Sequence, residues 1–161
     1  MIARLRPIAV VAALLVLVGA PALAQEDSVL QRYDLAVENL QFAIASVPDD
    51  PVQARDELER AVNALLTLSR DTTSATLLEA MQRTFERART AVDNESRADL
   101  AVQAAVLRGG FRRLVADSAY TAGTEGDLAT ALARLTHLAT DMGFAGPDLD
   151  ALGAAGSSVN A

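Results

Sequence analysis

Ser96-Arg-Ala-Asp-Leu-Ala-Val-Gln-Ala-Ala-Val-Leu-Arg-Gly-Gly-Phe-Arg-Arg-Leu-Val-Ala-Asp-Ser-Ala-Tyr-Thr-Ala-Gly123 decides how this chain folds. Between Asp99 and Arg108 it carries no charge. A helix that is apolar nearly all round needs neighbours nearly all round, so the stretch reads as the central helix of a bundle. Leu100, Ala104, Leu107, Phe111, Leu114 and Ser118 recur at three/four spacing and form one stripe for a core. Ala101, Ala105, Gly109, Ala116 and Ala119 form a second stripe of small residues, broken at Arg112, along which another backbone can approach. Ser96 followed by Asp99 resembles a capping box, and Gly123 is the expected stop.

Gly109 and Gly110 sit inside this helix, where each costs roughly 1 kcal/mol against alanine. They read as a tight helix crossing, or as a hinge or ligand approach. Arg108, Arg112 and Arg113 flank them as the densest positive cluster downstream of residue 24. Guanidinium forks match carboxylates and phosphates, so Arg108, Gly109, Gly110, Arg112 and Arg113 are the candidates for anion or partner binding. The plainer role is pairing with neighbouring acids at the rim of the core.

Working outward, four more segments read as helices. Ser28 with Gln31 marks the start of the first, with Leu30, Tyr33, Val37, Leu40, Ile44 and Val47 as its seam and Pro48 as its stop. Asp50-Pro51 opens the second as N-cap and first helical residue, with Ala54, Leu58, Ala61, Leu65 and Leu68 inward and the seam widened by Val62 and Leu66. After the break at Asp71-Thr72-Thr73, a third runs to about Asn94 with Leu78, Met81, Phe85, Ala88 and Val92 as its seam. Thr124 with Asp127 opens the last, with Leu128, Leu132, Leu135, Ala139 and Met142 on its inner face and Gly143 as C-cap. Alternating Val/Ile/Thr runs are missing. The expectation is an all-α, up-and-down bundle of four to five antiparallel helices over residues 25–144, or a small array of helical hairpins.

Residues 1–24 read as a cleaved signal peptide. Arg4 and Arg6 precede an apolar run, and Ala22-Leu23-Ala24 is a small-residue cleavage pattern. The uncharged run from Pro7 to Ala24 is borderline for a span of about 20 residues. Removing two arginines and no acid makes the net charge more negative than the −7 of the whole chain. Such a balance disfavours nucleic acid and anionic lipid. Residues 145–161 are rich in Gly, Ala and Ser and read as a disordered tail. All the basic residues are Arg, none Lys, and Ala is abundant, a composition like that of high-GC bacteria. The location read from this is the periplasm or outside the cell.

Chemistry is sparse. With no cysteine there is no thiolate, disulfide or covalently attached haem, and without lysine no Schiff base. His137 is the single histidine and lies about 200° round the helix from Leu135, toward solvent. Non-covalent haem through His137 with Met81 or Met142 is disfavoured, because both methionines occupy expected core positions. Glu-x-x-His motifs for di-iron are missing. The acidic pairs at Asp49-Asp50 and Asp148/Asp150 lack a calcium-loop pattern, and Asp34 with Glu38 reads as a solvated flank. No cofactor or metal is expected. Phe42 falls off its seam and marks a partner surface or a second buried face. These readings favour a non-enzymatic exported helical module that binds a protein partner or self-assembles, without stable membrane insertion after cleavage. The alternative is a small-ligand or metal-ion binding accessory for uptake or sensing.

Overall fold

A computed structural model describes residues 27–144 of the chain. The signal-peptide reading, the tail from residue 145 and the Asp148/Asp150 cluster lie outside these residues. The described elements are all helical: α1 Ser28–Ser46, α2 Pro51–Leu68, a 3-10 turn at Ser69–Asp71, α3 Ala75–Asp93, α4 Arg97–Thr124 and α5 Leu128–Asp141. Among the described residues, no helix is long and apolar enough to cross a membrane.

Five acceptor side chains start the five helices. Asp50, Ser74, Ser96 and Asp127 each accept a hydrogen bond from a backbone N–H three residues on. The first helix is capped by Asp27, whose carboxylate accepts from Val29 N–H, and not by Ser28 as its spacing to Gln31 predicts. A stretch can hold two cap-competent residues in a row, and here tertiary anchoring of Asp27 selects between them.

Three helices end with the same crossed pair of backbone bonds. At α4, Asp127 N–H reaches Ala122 C=O and Gly126 N–H reaches Gly123 C=O. The motif needs a residue with positive φ, and Gly126 supplies it at 90°. The helix therefore passes Gly123, the expected stop, and ends one residue later at Thr124, which its spacing to Asp127 predicts as the start of α5; Asp127 alone caps that helix. Gly143, at φ 87°, ends α5 in the same way, as its position predicts. Glu95 does this for α3 at φ 53°, a conformation that L-residues adopt only at a cost.

α4 packs against all four other helices. Its stripe Leu100, Ala104, Leu107, Phe111, Leu114 and Ser118 is buried throughout, as its spacing predicts. Each fully buried leucine of this kind contributes about 1.5–3 kcal/mol. α1 to α4 close into a ring of neighbours, α1 against α2, α2 against α3, α3 against α4 and α4 back on α1. Pairings run in opposite chain order along these helices: Arg55 meets Asp93 while Glu59 meets Arg89. α2 buries Ala54, Leu58, Ala61, Leu65 and Leu68, but of the two residues expected to widen this seam Val62 is half-buried and Leu66 is exposed. α3 buries Met81, Phe85, Ala88 and Val92, with Leu78 half-buried. Phe85 meets Phe111 edge-to-face with ring centres 6.2 Å apart.

The seam of α1 is turned from its expected position. Ala36 and Ala43 are buried with Tyr33, Leu40 and Val47, while Leu30, Val37 and Ile44 are half-buried on the flank. Alanines 36 and 43 face a helix that buries Ala54 and Ala61. Small side chains on both helices admit a close crossing and push the larger ones to its edges.

α4 is not covered all round. Val102, Val106 and Tyr120 are exposed, and in its small stripe only Ala119 is buried. The cause is length: α5 has 14 residues against 28 in α4 and covers only part of it. The tight contact falls instead at Gly110, and it is with a side chain and not a backbone. A methyl placed there would lie 2.7–2.8 Å from the Met81 side chain.

Candidate functional site

α5 is where sequence and structure differ most. Leu128, Leu132, Leu135 and Met142, expected inside, are 42–53% exposed. Of that face only Ala139 is buried. The side turned inward carries Ala131, Arg134, Leu138 and Asp141, also at three/four spacing. Two of these four are charged, so α5 docks largely through directional polar contacts.

Three such contacts tie it to α1 and α4. Arg134 donates to both carboxylate oxygens of Asp27, at 2.7 and 3.1 Å, and to Ser118 C=O at 3.0 Å. Asp27 thus caps α1 and anchors α5 together. Burial raises its carboxyl pKa, but the bonds from Arg134 and Val29 N–H outweigh this and leave it lowered. Near the other end of α5, Asp141 receives Arg112 Nε at 2.6 Å, Tyr33 O–H at 2.5 Å and Arg108 Nη2. Arg112 also donates to Asp141 C=O at 3.2 Å. Burial works against the Asp141 anion, yet the three donors and the charge of Arg108 hold its pKa down to about 2. Burial together with the bond to this anion raises the Tyr33 phenol. The third contact is His137 Nε2, 2.8 Å from Asp34 Oδ1, with the imidazole edge-to-face on Tyr33 at 5.8 Å.

The five candidate residues separate. Arg108 and Arg112 converge on Asp141, so the carboxylate between them belongs to the chain itself. Arg113 points elsewhere, 2.9 Å from Asp117, which also accepts from Thr72. Gly110 lies under Met81, and Gly109 faces open space. His137 is half-buried against α1 instead of standing free in solvent. Met142, expected in the core, is exposed, and Phe42 is half exposed. Asp141 is the residue that spacing did not select, while Tyr33 was selected as a core residue and not as a polar partner. The available signal was the run Ala131, Arg134, Leu138, Asp141, a second seam in the same helix as the leucine stripe.

Where α5 stops, a groove continues between α1 and α4. Val37, Leu40 and Ile44 line one wall and Ala101, Ala104 and Ala105 the other. Arg108 and Arg112 also line it, and its volume is about 350 Å³. Arg108 Nε is buried without a hydrogen-bond acceptor. Among the described residues, no three acidic or imidazole side chains come together as a metal-binding group.

Compared with protein-family models, curated proteins and solved structures, the chain matches none.

Proposed function

We propose that this chain is a non-enzymatic, exported helical module that self-assembles through the outer face of α5. The observation that carries the reading is the stripe Leu128, Leu132, Leu135, Ala139 and Met142. Its 4-3-4-3 spacing is that of a two-helix seam. Four of its five members are exposed. A second copy is the occupant that fits. On the open side the positions flanking the stripe are Ala129 and Thr136, both uncharged, while Ala131 and Leu138 on the other side are buried, so two identical stripes meet without like charges of this helix facing each other. A helix of 14 residues is about 21 Å long. Such a seam is small beside a standard interface, so the pairing belongs to the weak, concentration-dependent class. Export is supported by Arg4 and Arg6, the apolar run after them and Ala22-Leu23-Ala24, and a periplasmic or extracellular location follows.

Native mass spectrometry and sedimentation of the chain recovered from its own cell envelope or medium test both parts. A mass beginning at Gln25 supports export, and an intact Met1 overturns cleavage. A dimer fraction that rises with concentration, and is abolished in the double variant Leu132→Glu/Leu135→Glu, supports the assembly. A chain that stays monomeric at every concentration, or a double variant that dimerises as well as the parent, overturns it.

A further inference from the structure

The groove beyond α5 has the makings of a ligand site independent of the α5 stripe. Its walls are aliphatic, from Leu40 and Ile44 on α1 and Ala101 and Ala104 on α4, while two guanidiniums stand among its lining residues. Those two cations share one internal carboxylate, Asp141, which leaves a surplus positive charge in a partly buried place. One donor of the pair, Arg108 Nε, is buried and unsatisfied. A buried donor without an acceptor carries an uncompensated desolvation cost, which an anion drawing the guanidinium toward the groove would recover. The volume of about 350 Å³ lies at the small end of small-molecule pockets.

We propose that this groove binds an aliphatic monocarboxylate, with its carboxylate at Arg108 and Arg112 and its hydrocarbon chain between α1 and α4. A carboxylate matches the planar donor fork of arginine. A single charge matches the surplus left by Asp141. An alkyl chain matches walls whose only polar side chain apart from the arginines is Gln41.

The test is calorimetric titration of the full chain with octanoate, with octanol and acetate as the headless and tailless controls. Octanoate is expected to bind at least tenfold more tightly than either control. Arg108→Gln is expected to weaken octanoate at least tenfold. Ala101→Leu fills the hydrocarbon end without touching the arginines, and is expected to weaken octanoate several-fold while leaving thermal stability unchanged. That variant keeps the test decisive if Arg108→Gln does not fold. Octanol binding as tightly as octanoate overturns the carboxylate assignment. Absence of octanoate binding by the full chain, or an Ala101→Leu protein that binds it unchanged, overturns the site.

Discussion

α4 meets α3 and α5 on different terms. On the α3 side the contact is apolar: Phe111 against Phe85, and Gly110 beneath Met81. On the α5 side the contact is polar: Arg108, Arg112 and the Ser118 carbonyl meet Asp141 and Arg134. α5 buries only Ala131, Leu138 and Ala139 with them. The first interface draws on area removed from water, which is insensitive to pH and strengthened by salting-out ions. The second draws on charge-assisted hydrogen bonds, whose energy depends on the protonation of a few carboxylates. One helix therefore carries an apolar joint and a titratable one.

The largest effect expected from breaking this contrast is on the apolar side. Phe111→Ala removes a fully buried ring and is expected to cost about 3–5 kcal/mol in urea unfolding. Leu132→Ala on the outer face of α5 is expected to stay within about 0.5 kcal/mol when measured in the monomer. Comparable losses from the two would show that the α5 stripe is buried after all.

Asp141 sharpens the polar side. Its folded-state pKa, about 2, lies below the ordinary 3.8, so its contribution is full above about pH 4 and fades as pH falls toward 2. The shift corresponds to about 2 kcal/mol. Asp141→Asn is expected to lose about that much at pH 7 and to flatten the acid limb of the stability curve. Part of the limb remains, because Asp27 is lowered as well. Acid unfolding curves of equal steepness for the two proteins would remove Asp141 from the joint.

The smallest effects come from the glycine pair. Gly109→Ala meets nothing and is expected to stabilise by about 1 kcal/mol through helix propensity. Gly110→Ala gains the same propensity but crowds Met81, for a net loss of about 1 kcal/mol. Thermal melts of the two variants moving in the same direction would mean that the Met81 side chain does not hold its place over Gly110.

Much of the fold was legible, and the reason differs by element. α2 and α3 each carry one apolar stripe with polar residues opposite, so only one face can go inward. α1 carries large and small apolar residues side by side, and close packing on α2 chose the small ones. α5 carries two stripes with different chemistry, and spacing ranked the leucines first. For the site, the arginine cluster was visible because Arg108, Arg112 and Arg113 are neighbours in sequence. Their acceptors were not, since Asp141 lies 33 and 29 residues beyond Arg108 and Arg112. Tyr33 looked like an ordinary seam residue until its hydroxyl was seen to face Asp141.

By itself the sequence determined the helices, the caps at Asp50 and Ser96, and the all-α class. Caps and periodicity are properties of a few consecutive residues. Only the tertiary structure decided which way α5 turns. An amphipathic pattern ranks the faces within one helix, whereas burial depends on the surface that helix meets. α1 and α4 present Tyr33, Arg108 and Arg112, and partly buried donors require an acceptor. Asp141 answers that requirement, and the leucine stripe is turned toward solvent as a consequence.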